Sequence, residues 1–300
     1  MNAPQSELRA GLLASLGAYG LWGLLPIFFK LLHGVAAIEV VSQRILWSLI
    51  LILGLLSLRS GIRPLIAVLR DRRLLLPLTA SALLIATNWL TYVWAVNGGH
   101  VIAASLGYFL NPLVNVALGV IVLGERLRRG QAIAIAIAAL GVAIMAGAAL
   151  TTLWISVVLA MSFAFYGLVR KVTPVAPMLG LGAETLVLAP LAIACLLWQS
   201  GHGGISFGKD GMITGLLIFS GALTTVPLVL FAMAAQRLPM AMLGLMQYLA
   251  PTLQFLCGIL LYRETLTHGQ MVSFALIWIG LILFAADSLA AARRGRMATA

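Results

Sequence analysis

Residues 106–131, LGYFLNPLVNVALGVIVLGERLRRGQ, are echoed by residues 245–270, LMQYLAPTLQFLCGILLYRETLTHGQ, at a constant shift of 139 positions. Pro112 falls on Pro251, Gly119 on Gly258, Glu125 on Glu264, Leu127 on Leu266, Gly130 on Gly269 and Gln131 on Gln270, without a gap. The register holds upstream, where Ala95 meets Ala234, Leu106 meets Leu245 and Leu110 meets Leu249, and downstream, where Gly141 meets Gly280. Apolar coincidences mean little in so hydrophobic a chain. Proline, glutamate, glycine and glutamine do not line up for compositional reasons, so the chain is read as an internal duplication.

Both copies lie among long apolar runs. Of the 300 residues, 62% are apolar and 9% are charged, whereas soluble domains are about 25% charged. Helical runs of roughly 20 apolar residues cross a hydrocarbon core of about 30 Å. Ten such spans are predicted: Gly11 to Leu32, Ala36 to Ser57, Leu74 to Val96, Val101 to Leu123, Gln131 to Leu150, Thr152 to Val169, Met178 to Gln199, Met212 to Ala235, Met240 to Leu261 and Met271 to Leu289. Barrel strands would be about ten residues long and would alternate apolar with polar residues, which these runs do not. The first span is too long for a signal-peptide core and is read as a retained helix.

The shift carries the third, fourth and fifth spans onto the eighth, ninth and tenth. An odd offset of five crossings reverses direction, so the copies have inverted topology. The fold expected is an all-α transmembrane bundle of ten helices in two inverted five-helix repeats, residues 8–150 and 151–289, followed by a basic tail, 290–300. That architecture recurs in secondary transporters, where the solute site lies between the repeats near the midplane. The longest connections, Leu58 to Arg73 and Ser200 to Gly211, are too short for an additional domain.

A net charge of +11 could signal a nucleic-acid partner, so its distribution decides. With the N-terminus inside, one side of the membrane receives Arg9, the group Arg59, Arg63, Arg70, Arg72 and Arg73, then Arg126, Arg128 and Arg129, Arg170 and Lys171, Arg237, and Arg293, Arg294 and Arg296. The other side receives Lys30, Lys209 and Arg263, and Arg44 lies within a span. This is the positive-inside pattern, which places both termini in the cytoplasm and explains the charge without nucleic acid. Cys195 and Cys257 fall in spans without metal-ligand spacing and read as small apolar fillers, so neither metal nor cofactor is expected.

Several segments resemble RarD proteins, of the EamA branch of the drug/metabolite transporter superfamily. These are Ala18-Tyr19-Gly20-Leu21-Trp22-Gly23, Asn88-Trp89 through Trp94-Ala95-Val96-Asn97, Ser105-Leu106-Gly107-Tyr108-Phe109-Leu110-Asn111-Pro112-Leu113, Phe165-Tyr166-Gly167-Leu168-Val169-Arg170-Lys171 and Gln247-Tyr248-Leu249-Ala250-Pro251-Thr252. The resemblance runs from about residue 8 to residue 289. It implies a ten-helix permease of the bacterial inner membrane made of two EamA repeats. It also favours export of drugs or metabolites, with chloramphenicol as one candidate.

An ionisable side chain within a span costs about 2.5–3.5 kcal/mol on insertion scales and therefore calls for a partner, a wet cavity or a task. Glu39, Arg44 and Glu184 are such residues. Arg44 is expected to pair with Glu184, and two readings stay open: a structural ion pair that fixes packing, or a gate or proton-coupling group with protons as the coupling ion. Uncharged polar and aromatic residues fall on shared helical faces: Tyr19 and Trp22; Asn88 and Tyr92; Tyr108, Asn111 and Asn115; Tyr166; Gln247 and Gln254. These are expected either to bond neighbouring helices or to line one cavity for a small-molecule substrate. Pro112 and Pro251 are expected to bend equivalent helices.

Other patterns carry less. Gly203 through Gly208-Lys209 has the spacing of a phosphate loop, but Asp210 stands where Ser or Thr is required and no strand precedes it. His33, His100, His202 and His268 read as loop imidazoles, and Gly211-x-x-x-Gly215 as a close-packing site. A secondary transporter is the leading functional class, with a channel or passive facilitator as the alternative. An intramembrane enzyme would need a motif such as HExxH, which is absent, or a GxSxG nucleophile elbow; Gly204-Ile205-Ser206-Phe207-Gly208 has that spacing, but no strand precedes it as the elbow requires.

Overall fold

The computed structural model describes residues 5–32, 34–59, 61–97, 100–147, 153–262 and 268–297, which form twelve helices. The spans correspond to α1 (Gln5–Leu31), α2 (Ala37–Arg59), α4 (Arg72–Asn97), α5 (Val101–Ile121), α6 (Arg129–Gly147), α7 (Leu153–Val172), α8 (Pro177–His202), α9 (Gly211–Arg237), the pair α10 (Met240–Gln247) and α11 (Leu249–Tyr262), and α12 (His268–Met297). The additional helix, α3 (Arg63–Arg70), falls in the first long connection. It is amphipathic: Leu65 and Val68 are buried, while Arg63 and Arg70 face outward. α12 continues to Met297, so most of the segment expected as a tail prolongs the last helix.

The exterior is apolar and the interior holds the polar groups. Ile121 is 80% exposed, Leu13 and Leu76 are each 70% exposed, and Glu39, Asn88, Asn111, Asn115 and Glu184 are buried. Such a surface is stable in lipid, where apolar side chains need no cover and backbone polar groups must be satisfied within the helices.

The relation between repeats is visible where α6 crosses α12. A methyl group on Gly141 would lie 2.8 Å from the Ser273 carbonyl oxygen, and one on Gly280 would lie 2.6 Å from the Ala134 carbonyl oxygen. Ala134 and Ser273 are equivalent under the 139-residue shift, as are Gly141 and Gly280. Each repeat thus offers the same two positions to the other with the roles exchanged. As position 134 advances to 141, its partner retreats from 280 to 273, so the equivalent helices run antiparallel. A two-fold axis across the helices produces this self-complementary contact, and the repeats are inverted. Gly211 and Gly215 make no such approach, since nothing lies within 4 Å of where their side chains would begin.

The equivalent prolines do not have equivalent effects. Pro251 has no amide to offer the Gln247 carbonyl, and the ninth span stops at Gln247 and restarts at Leu249. Pro112 lies inside an unbroken α5. Gly244 of α10 fits against the Pro112 carbonyl, where a methyl group would lie 2.6 Å from the oxygen.

The helix ends that carry Arg63, Arg70, Arg72, Arg73, Arg129, Arg170, Lys171 and Arg237, with Arg126 and Arg128 in the connection between α5 and α6, define a basic face. α7 lies against α4, α5 and α9, and α1 lies against α9 and α11. These helices enclose the space between the repeats.

Candidate functional site

A cavity of about 540 Å³ lies among α1, α2, α4, α5, α7, α9, α10 and α11, within the 300–1,000 Å³ usual for small-molecule sites. α1 contributes Tyr19, Trp22, Leu25, Phe29 and Lys30, and α4 contributes Ile85, Asn88, Trp89 and Tyr92. Arg44, Tyr108, Phe163 and Leu228 enter from α2, α5, α7 and α9, and Gln247, Ala250, Pro251 and Gln254 come from the broken span. Phe29 and Lys30 stand at the end of α1 away from the basic face, so the cavity reaches towards that side.

Towards the basic face it is closed. Phe231 is fully buried beneath the floor, 5.2 Å from Phe163, 5.7 Å from Trp22 and 6.2 Å from Tyr19 between ring centroids. Tyr166 stacks on its far side at 5.8 Å. Deeper still, the Glu125 carboxylate accepts the amides of Met240 (2.6 Å) and Ala241 (3.0 Å), the first residues of α10. A carboxylate suits that position because a helix N-terminus has unpaired amides and a positive dipole end. Lys171 donates to the carbonyls of Ala235 and Leu238, Arg237 meets Glu7 at 2.8 Å, and the Tyr19 hydroxyl donates to the Leu243 carbonyl at 3.3 Å. The repeat-equivalent residue Glu264 lies outside the described residues.

Seven of the ten polar and aromatic residues singled out in the sequence line this cavity: Tyr19, Trp22, Asn88, Tyr92, Tyr108, Gln247 and Gln254. Some of their amides also tie helices together. Asn88 donates to the Leu159 carbonyl (2.8 Å) and to the Ser162 hydroxyl (3.1 Å), and Gln254 donates to the Trp22 carbonyl (3.1 Å).

Asn111, Asn115 and Tyr166 do not reach the wall. α5 runs towards the basic face, so Asn115 is about 10 Å deeper than Tyr108. There it passes beneath the floor and donates to the Gln247 side chain at 2.8 Å. Asn111 is fully buried, with no hydrogen-bond partner among the described residues. Tyr166 is one turn below Phe163 and is screened from the cavity by the aromatic cluster.

The expected Arg44–Glu184 pair is not formed. Arg44 is seven residues into α2 and Glu184 seven residues into α8, and these helices begin on opposite faces. Each is thus about 10 Å from a different end of bundle helices roughly 35 Å long, which separates them by depth. Glu184 instead accepts the Ser81 hydroxyl at 2.5 Å and faces Arg170 at 3.5 Å, with both members of the pair 1% exposed. The Arg170 guanidinium also donates to the Pro177 carbonyl (3.0 Å) and fills the space that a side chain at Gly180 would occupy.

Arg44 donates through Nε to the Thr224 hydroxyl (2.8 Å), and its guanidinium carbon lies 5.5 Å from the Phe29 ring and 5.4 Å from the Trp89 ring. Glu39 accepts the amides of Ser206 (2.8 Å) and Phe207 (2.9 Å). These amides belong to the glycine-rich loop whose spacing resembles a phosphate loop. The turn around the carboxylate uses the positive φ of Gly204 (81°) and Gly208 (84°).

Sequence reasoning missed Arg170, Phe29, Trp89 and Phe163. Ending the sixth span at Val169 left Arg170 in a loop, whereas α7 continues to Val172 and carries it inside. Phe29 could have been found seven residues after Trp22, on the same helical face.

Two adjoining stretches, residues 9–147 and 150–286, each match the EamA-like transporter family. Inverted five-helix repeats around a shared, partly aromatic cavity are the architecture of a membrane permease. This chain belongs to the EamA-like transporter family, of the drug/metabolite transporter type, and is a bacterial integral membrane protein. It is 44% identical to "Protein RarD" of Streptomyces exfoliatus, over 97% of this chain and 93% of that one. It is 41% identical to "Protein RarD" of Escherichia coli (strain K12), over 98% and 99%. A protein of Pseudomonas aeruginosa named "Chloramphenicol-sensitive protein RarD" is 32% identical over 93% and 94%. One crystal structure superposes with a TM-score of 0.71, covering 91% of this chain and 96% of its own, at 18% identity, and so shares the fold.

Proposed function

We propose that this permease carries small amphipathic solutes across the inner membrane by alternating access, exporting them from the cytoplasm, with its basic face cytoplasmic. The observation that carries this reading is the position of the cavity. Both repeats wall it, and the ties that close it towards the basic face, Tyr19 to Leu243, Glu125 to α10 and Glu7 to Arg237, each cross from one repeat to the other. Rocking one repeat against the other would part those contacts and expose the cavity to the basic side. The aromatic walls suit an apolar ring, and the amides and phenols suit its polar substituents.

The test is reconstitution of the purified protein in sealed vesicles, with labelled chloramphenicol and a panel of amphipathic metabolites, with and without an imposed pH gradient. Accumulation against a concentration gradient, abolished when the pH gradient is dissipated, is the expected result. Flux that only equalises concentrations and ignores the imposed gradient would establish a passive facilitator instead. For orientation, a cysteine replacing Lys209 should react with an impermeant thiol reagent added to whole cells, and one replacing Ile66 in α3 should not.

A further inference from the structure

Arg44 is a charge within the bundle that none of the described carboxylates answers. Its Nε is held by the Thr224 hydroxyl, whose own proton goes to the Ser220 carbonyl at 2.8 Å. Neither Nη atom has a hydrogen-bonding partner among the described residues. None of the described carboxylates lines the cavity that the guanidinium borders. The nearest candidates by sequence are committed elsewhere, Glu39 to the Ser206 and Phe207 amides and Glu184 to Arg170 and Ser81. A neutral hydroxyl and two ring faces orient a guanidinium without neutralising it.

We propose that Arg44 receives the carboxylate of the transported solute, so that the solute class of this permease is a small organic anion with an aromatic or apolar body. The assignment rests on the reading of the cavity as the transport site and narrows what enters it. A guanidinium fork presents two parallel N–H donors, the geometry that a carboxylate matches in bidentate fashion. Tyr92 and Tyr108 line the same cavity with ring centroids 5.7 Å apart, and their hydroxyls are further donors available to a solute there. Trp22, Trp89 and Phe163 then form the apolar wall on which the rest of the solute would lie.

The other charge types fit less well. A cation would enter a cavity bordered by Arg44, with no described carboxylate in the lining to meet it. A neutral solute that displaced water from the Nη atoms would leave charged donors unpaired, which is how polar sites reject ligands lacking the matching group.

The experiment compares three probes of nearly one shape, phenylacetate, phenylacetamide and phenethylamine, binding to the purified full-length protein at neutral pH, followed by tryptophan fluorescence. Phenylacetate should bind about 10-fold or more tightly than the amide, the order of advantage of a charge-assisted fork, and the amine most weakly. Arg44→Gln should remove that preference and leave the amide affinity within about 3-fold, while Arg44→Lys should retain part of it, because the charge survives and the fork does not. If the amide binds as well as the acid to the wild type, or Arg44→Gln keeps the preference for the acid, the assignment is overturned and the cavity remains a site for neutral solutes. If none of the three binds, the assignment falls together with the reading of the cavity. The wild-type order decides by itself should Arg44→Gln fail to fold.

Discussion

Arg170 and Arg44 both lie inside helices that cross the bundle, but their surroundings answer opposite demands. Arg170 is 1% exposed, faces the Glu184 carboxylate, donates to a backbone carbonyl and fills a space kept free by Gly180. Arg44 borders a cavity, has one hydroxyl as its hydrogen-bond partner and lies between two aromatic rings. In lipid an unanswered charge is expensive, so the contrast separates charge used to close the fold from charge kept available. It also divides the molecule by depth: dry, cross-linked packing on the basic side, and an open, aromatic chamber on the other.

The largest effect should come from breaking the closed side. Glu184→Gln would leave the Arg170 charge buried without its partner, a change that typically costs about 3–5 kcal/mol. Unfolding of the purified protein should register that loss. Replacing both residues by leucine should recover much of it, because the desolvation of both charges disappears with them. Arg44→Gln should alter stability by less than Glu184→Gln does, because it strands no buried partner charge, and the lost bond to Thr224 is offset by removal of an unpaired charge from the bundle. Equal destabilisation by the two single variants would erase the distinction between these arginines.

A second effect concerns the latch at the basic face. The Glu125 carboxylate accepts two amides at the start of α10, and hydrogen bonds to a charged group contribute about 1.5–3 kcal/mol each. Glu125→Ala should therefore shift the balance towards a basic-side opening by about 3 kcal/mol or more, on the order of 100-fold in population. A cysteine replacing the buried Leu243, in a protein lacking Cys195 and Cys257, reports this directly. Its labelling from the basic side should accelerate in the Glu125→Ala background. Unchanged labelling would show that the aromatic cluster around Phe231 alone seals that face.

These contrasts mark what could be read in advance. The inverted repeat was legible because Pro112, Glu125, Gly141 and their counterparts are residue types that recur for reasons other than hydrophobicity. The cavity face of α1 and α4 was legible from helical spacing, since Tyr19 and Trp22, or Asn88 and Tyr92, share a side wherever the helix is placed. Depth was not legible. Spacing alone could not tell that Tyr108 is on the wall while Asn115 passes under the floor, nor that Arg44 and Glu184 lie at different levels. The break before Pro251, absent at Pro112, was equally hidden, because the two prolines occupy equivalent positions in the repeat and both lack the amide. Arg170 was misplaced for a simpler reason: its charge suggested a loop, and the partner that brings it inside is fourteen residues away on another helix.

The smallest effect should arise at the boundary between the two regions, where Asn115 donates to Gln247. Gln247 belongs to the cavity wall and Asn115 to the packing beneath it, so this bond connects the closed half to the open one. Hydrogen bonds between helices in a membrane average about 0.6 kcal/mol, because the separated groups find other partners. Asn115→Ala should accordingly change stability by about that amount and solute affinity by no more than about 3-fold, through a Gln247 side chain less firmly held. Gln247→Ala removes the wall group itself and should weaken binding more while leaving the protein folded. Phenylacetate titrations of both variants provide the comparison. If Asn115→Ala proves the more damaging to binding, then Asn115 contacts the solute in some state of the cycle, and the floor lies deeper than Phe231 and Tyr166 now place it.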